Sequence, residues 1–238
     1  MSAIIVEGVT KNFGNINILN KISIKIEKGE ILCLVGPSGA GKTTLVKSII
    51  GMEKVNSGSI KVLDEKMPNR KVLQKIGYMA QSDALYEDLS ALDNLTFFSS
   101  LYSLSKEVRE KNINYLLDLV NLTDHKKKRV KNFSGGMKRR LSLASALIQD
   151  PEILILDEPT VGIDPELRLS IWEELHKLKK NNKAIIVTTH VMDEAERCDR
   201  VVFLRDGKII EEGSPVNLKE KYNASSIEEV FLKARRDK

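Results

Sequence analysis

Gly36-Pro37-Ser38-Gly39-Ala40-Gly41-Lys42-Thr43 follows the apolar run Ile31 to Val35 and opens a helix-compatible stretch from about Lys42 to Ile50. The spacing G-x-x-x-x-G-K-[ST] between a buried strand and a helix is that of a phosphate-binding loop. Its chemistry follows from the residue types. Glycines let consecutive backbone N–H groups curl around phosphate oxygens, and the helix N-terminus adds its positive partial charge. Lys42 reaches the outer phosphates, and the Thr43 hydroxyl is offered to Mg²⁺.

Upstream of the loop, Ile4 to Val9 and Ile22 to Ile26 read as strands, and Lys28-Gly29 turns the chain into the buried strand. Downstream, Asn56 to Ser59 reads as a turn and Ile60 to Leu63 and Lys75 to Met79 as short strands. From Ser90 to Gln149 the spacing becomes helical, with Leu92, Leu95, Phe98 and Leu101 on one face and Leu116, Leu117, Leu119 and Val120 on another. After Pro151 strand and helix alternate: strand 153–156, helix 165–179, strand 184–188, helix 191–198 and strand 201–204. That alternation predicts a mainly parallel sheet covered by helices. Asp164-Pro165-Glu166 is a helix start, Asp206-Gly207 a hairpin turn to a strand at 208–210, and a last helix is expected over 226–234. The fold class is α/β with an antiparallel β part at the N-terminus and an inserted α-helical part. A single domain is expected over 1–238, with 1–81 and 151–238 as its core and 82–150 as the helical insertion.

The strand at 153–156 ends in Asp157-Glu158, which puts two carboxylates at the carboxyl end of a buried strand, where ligands bind in open α/β sheets. Beside a phosphate loop, Asp157 is placed to hold Mg²⁺ through water, and Glu158 to accept a proton from the water that attacks the γ-phosphorus. His190, just past an apolar strand, is by itself an ordinary structural histidine.

Composition narrows the partners. With 42% hydrophobic and 30% charged residues the chain is an ordinary globular protein. Its apolar runs fall far short of the roughly 20 residues of a spanning helix, and no secretion signal opens it, so a cytosolic setting is expected. The net charge of +5, from 38 basic and 33 acidic residues, is too small an excess to argue for nucleic acid, and no nucleic-acid partner is expected. The basic run His125 to Arg129 reads as a solvated loop. Cys33 and Cys198 show no metal-ligand spacing, and no disulfide is expected.

With the loop, the acidic pair and Phe133-Ser134-Gly135-Gly136-Met137-Lys138-Arg139-Arg140 in view, the chain resembles the nucleotide-binding subunit of ATP-binding cassette (ABC) transporters over nearly its whole length. The resemblance implies a P-loop NTPase core of RecA-like type, with 82–150 as the helical subdomain that carries the family's second signature. Phe133 and Met137 depart from the common letters L-S-G-G-Q, while the hydroxyl and two glycine amides that grip a γ-phosphate remain. It further implies ATP and Mg²⁺ as cofactors, and an ATP site running from Gly36 to Thr44. Gln81 then contacts Mg²⁺ and faces the membrane partner, Asp164 bridges subunits, His190 senses the γ-phosphate and Phe13 stacks on adenine. The implied assembly is a head-to-tail homodimer, or heterodimer with a homologous ATPase subunit. Two ATP molecules lie between its subunits, and it acts on transmembrane permease subunits on separate chains at the cytoplasmic side of a bacterial cell membrane. Ile76 to Gln81, Leu85 to Ser90, Ser134 to Arg140 and Ser226 to Leu232 look like the bacterial drug and antibiotic exporter branch. The other readings are a soluble ATPase of the same superfamily, a non-hydrolysing nucleotide switch and a nucleic-acid binder. Gln81, Glu158 and His190 argue against the switch, and a single cassette without a heptad run argues against the soluble ATPase.

Overall fold

The computed structural model describes residues 2–234. The chain opens with strands β1 (Ser2–Phe13), β2 (Ile16–Glu27) and β3 (Ile31–Val35), helix α1 (Lys42–Ile49), strands β4 (Ser57–Val62) and β5 (Glu65–Lys66), and helix α2 (Arg70–Leu73). There follow β6 (Ile76–Met79), α3 (Ala91–Ser100), α4 (Lys106–Leu119), α5 (Gly135–Leu147), β7 (Ile153–Asp157) and α6 (Pro165–Lys180). The chain continues through β8 (Ala184–Thr189), α7 (Met192–Ala195), β9 (Arg200–Arg205), β10 (Lys208–Gly213), α8 (Pro215–Lys221) and α9 (Ile227–Ala234). Two compact units result, one from the chain up to Leu73 together with that from Ala184 onward, the other Gln74–Lys183.

The first unit holds two sheets. In one, β1 pairs antiparallel with β2 and with β4, in the order β2-β1-β4-β5. In the other, β3 lies between β8 and β9, parallel to both, with Cys33 opposite Val187 on one side and Val201 on the other. All five residues of β3 are buried, as expected of a parallel strand covered on both faces. At about 1.5–3 kcal/mol for each buried aliphatic side chain, this strand is a firm anchor for the loop that leaves its end. Strand β10 returns antiparallel on β9 through the hairpin turn foreseen at Asp206-Gly207, where both residues take positive φ, 47° and 70°, as a primed turn requires. Cys33 and Cys198 are buried free thiols, and burial pushes the Cys33 thiol well up.

In the second unit β6 and β7 pair in parallel, with Gly77 opposite Leu154. A Cβ on Gly77 would stand 2.1 Å from the Ala146 carbonyl oxygen, so α5 sits against β6 closely enough to require glycine there. Helix α6 starts as foreseen: Asp164 accepts from the Leu167 amide at 3.0 Å, Pro165 takes the first position, and Trp172 is buried beneath. Compactness groups β6, β7 and α6 with the helices, whereas the sequence pattern separates residues 82–150 by type of secondary structure alone.

Several local expectations are corrected. β4 begins at Ser57, inside the expected turn, and ends at Val62, because Leu63 and Asp64 take positive φ and make the turn to β5. Only Met192–Ala195 of the expected helix 191–198 is helical. Helix α8, with Ser214 as cap and Pro215 behind it, was not foreseen although both residues signal a helix start. In α3 the buried face is Ala91, Asn94, Leu95 and Ser99, and Leu101 is exposed. Asn94 is accepted inside because its amide bonds the Tyr86 N–H and the carbonyls of Tyr86 and Ser90.

Candidate functional site

In the first unit the loop runs from the end of β3 into α1 as its spacing predicts. Helix α1 starts on Gly41, at φ 103°, with no side-chain cap and no acid in its first turn. By contrast α3, α4, α5, α6 and α8 each begin on a Ser or Asp side chain that accepts a backbone N–H. The N-cap glycine therefore offers no side chain of its own to the first-turn amides of α1, and no acid in that turn repels an anion. Lys42 is 8% exposed, and its ammonium donates to the carbonyls of Gly36 at 2.6 Å and Pro37 at 3.1 Å, which folds the loop around the lysine. Pro37 also accepts from the Ala40 N–H at 3.2 Å, Gly39 takes φ 80°, and Thr43 and Thr44 stand in the first turn of the helix.

The start of the loop is fixed by close approach. A Cβ on Gly36 would fall 2.1 Å from the Leu204 carbonyl oxygen of β9, whereas one on Gly135 would meet nothing within 4 Å. Gly36→Ala is expected to lower the unfolding free energy by about 1–3 kcal/mol, as overpacking does. Gly135→Ala should leave it unchanged or raise it, since alanine is the better helix former. Equal denaturation midpoints for Gly36→Ala and the wild type would remove this account of the junction.

Two other expected residues lie in the same unit. His190 is exposed, directly after β8, and the turn around it is clamped. Thr189 donates its hydroxyl to the buried Glu194 at 2.6 Å and accepts from the Val191 N–H at 3.0 Å. Phe13 ends β1 at the hairpin with Ile16; its ring is 47% exposed, with the Lys11 ammonium 4.5 Å from its centroid. An exposed ring at a strand end can take a stacking partner.

The second unit gathers Gln81, Asp157 and Glu158 around one guanidinium. Asp157 is the last residue of β7 and is 1% exposed, while Glu158 is half-buried and takes φ 55°, a left-handed conformation uncommon for a residue with a side chain. Such strain persists only where the surroundings enforce it. Here Arg139 of α5 bonds the carbonyls on both sides of it. Its Nε and Nη2 donate to the Glu158 carbonyl at 3.2 and 2.8 Å, and Nη2 also donates to that of Asp157. Its Nη1 donates to the carbonyls of Ala80 at 2.7 Å and Gln81 at 3.0 Å, and Asp83 lies 3.6 Å away. Burial pushes the guanidinium's pKa down, and the carboxylates of Asp83, Asp157 and Glu158 oppose it. Burial, with the charge of Asp157 behind it, pushes Tyr78 up to about 12, so its hydroxyl stays protonated beside that carboxylate.

Ser134 caps α5 by accepting from the Met137 N–H at 3.2 Å, and Gly135 and Gly136 form an acid-free first turn. Asp164 caps α6 in the same unit. Sequence reasoning missed Arg139 and Glu194. Arg139 was one basic letter in a basic segment, and Glu194 one acid in an acidic turn, so nothing in composition marked either as buried.

A family model described as ABC transporter matches residues 19–161, more than half of the chain. The Nod factor export ATP-binding protein I of Bradyrhizobium diazoefficiens is 40% identical over 232 residues, 96% of this chain and 76% of that protein. ABC transporter G family member 20 of Dictyostelium discoideum is also 40% identical, over 97% of this chain, which spans only 32% of that longer protein. Among solved structures, the ATP-binding subunit of an ABC transporter superposes with a TM-score of 0.91 at 26% identity, covering 98% of this chain and 99% of that one. A dimeric cassette, MJ0796, in a post-hydrolysis state bound to ADP and Pi has a TM-score of 0.82 at 28% identity, covering 89% and 98%.

Proposed function

The chain belongs to the ABC transporter family, as one of its ATP-binding and ATP-hydrolysing subunits, and we propose that it powers export by membrane subunits carried on separate chains, from the cytoplasmic face of a bacterial membrane. The observation that carries the reading is the phosphate loop: a buried Lys42 inside it and, behind it, a helix left uncapped for an anion. No helix among the described residues is long and apolar enough to cross a membrane, which agrees with a subunit that docks on spanning partners. Relatives matched along most of their length are export ATP-binding proteins by name, which favours the exporter branch over the soluble ATPase.

The proposed division of labour follows the site. Phe13 stacks on adenine; residues 36–44 hold the phosphates through amides and the Lys42 ammonium; His190 reads the γ-phosphate from a clamped turn. Glu158 takes the proton of the attacking water, and Gln81 orients that water from the neighbouring segment. The Thr43 hydroxyl, the Gln81 amide oxygen and the Asp157 carboxylate, the last through water, are hard oxygen donors of the kind Mg²⁺ selects. The ion supplies charge neutralisation on the β- and γ-phosphates. Ser134, Gly135, Gly136 and Asp164 serve the ATP of the opposite subunit in a head-to-tail dimer. ATP favours the closed dimer and hydrolysis the open one, so the movement passed to the membrane subunits is a ligand-driven population shift.

The test is co-purification of the tagged full-length chain from detergent-solubilised membranes of its host with ATP and Mg²⁺. A stoichiometric membrane-spanning protein is expected. Recovery of soluble assembly, ribosomal or DNA-bound partners alone would transfer the chain to the soluble branch.

A further inference from the structure

The guanidinium of Arg139 has five N–H donors, and all five go to backbone carbonyls, those of Ala80, Gln81, Asp157 and Glu158. These carbonyls belong to two segments far apart in sequence: the stretch that leaves β6 and the turn that leaves β7. Both segments carry residues with proposed catalytic roles, yet neither role uses the carbonyls that Arg139 binds. The arginine itself is 7% exposed, in the second turn of the helix that Ser134 caps.

From this geometry we propose that Arg139 is a positioning residue for ATP hydrolysis, which sets Glu158 and Gln81 in register with each other by holding their main chains from one planar fork. The proposal rests on the reading of Glu158 as general base. The Glu158 backbone is in the left-handed region, and two of the five bonds end on its carbonyl. Releasing them lets the peptide relax toward an ordinary φ and carries the carboxylate away from the water whose proton it takes. Asp83 keeps the cation compensated at 3.6 Å but offers no route to Glu158, so the positioning function falls to the guanidinium. A lysine has three donors on one nitrogen and cannot span the same carbonyls, so the usual conservative replacement is not conservative here.

The experiment compares the wild type, Arg139→Lys, Glu158→Gln and the double variant as full-length chains with ATP and Mg²⁺. Turnover is followed by single-turnover phosphate release and ATP affinity by equilibrium titration. Arg139→Gln, which keeps two donors, replaces the lysine variant should that one fail to fold. Arg139→Lys is expected to lose about 10- to 100-fold in kcat, the scale of a misplacement of about 1 Å. Its ATP affinity should change less than about 2-fold, since the bonds lost are not to nucleotide. In the Glu158→Gln background the same substitution should cost less than about 3-fold, because the group it positions is already gone. A full multiplicative loss in the double variant, a parallel loss of affinity, or an undiminished kcat in Arg139→Lys overturns the positioning role. Normal turnover in Glu158→Gln alone identifies instead a failure of the general-base reading, and the proposal built on it falls as well.

Discussion

The Glu158→Gln variant is expected to hydrolyse ATP roughly 10²- to 10⁴-fold more slowly than the wild type while binding it as tightly, the usual worth of a general base. The amide keeps the size of the side chain and its place after β7, so the half-buried position and the left-handed backbone should be unchanged. What is lost is an oxygen able to take a proton from water. The proposed binding elements, Lys42 and the amides that start α1, are untouched. Nucleotide should therefore enter, close the dimer and stay. The readouts are steady-state phosphate release at saturating ATP and elution on a sizing column with ATP and Mg²⁺. Slow turnover together with an accumulated dimer supports the assignment. Wild-type turnover would remove the base from Glu158 and leave it a strained turn residue.

How much of this was open to view in the sequence depends on what each feature rests on. The strand-loop-helix unit at 31–49 rests on local chemistry: five apolar residues, glycines, and a lysine beside a hydroxyl. All of these show in the letters, and β3 and α1 fall where the spacing places them. The cap at Asp164 was legible for the same reason. Arg139 was not, because its burial is decided by carbonyls 18 to 59 positions away, and a one-dimensional pattern carries no record of where backbone oxygens converge. The face of α3 was read only in part, with Leu95 buried and Leu92 and Phe98 partly so, for a related cause. Apolar letters at 92, 95, 98 and 101 pointed one way, but a hydrogen-bonded Asn94 costs little to bury, so Ala91, Asn94 and Ser99 join Leu95 inside while Leu101 is left to solvent. Glu158 lies between these cases. Its proposed chemistry is read from its place after the strand and beside the phosphate loop, whereas its left-handed backbone, which separates it from the buried Asp157, appears only in three dimensions.

Lys42→Ala should fail at the opposite step. The ammonium is buried in the loop and, in the proposed complex, exchanges its carbonyl partners at Gly36 and Pro37 for the outer phosphates. A hydrogen bond to a charged partner is worth about 1.5–3 kcal/mol, and two such bonds with the opposite charge lost correspond to roughly 10²-fold or more in affinity. Titration calorimetry with ATP and with ADP checks this in a way a general loss of fold would not imitate. ADP, which lacks the γ-phosphate, should lose less affinity than ATP, because in the proposed complex the lysine acts on the outer phosphates and not on the base, which is assigned to Phe13. Unchanged affinity for both nucleotides would take Lys42 out of the binding site. Unchanged affinity with turnover lost at saturating ATP would mean something narrower, that the charge acts on the transition state alone. Against Glu158→Gln the contrast is sharp: one variant keeps ATP and cannot use it, the other cannot keep it, and only a site that separates holding phosphate from activating water gives both results in one chain.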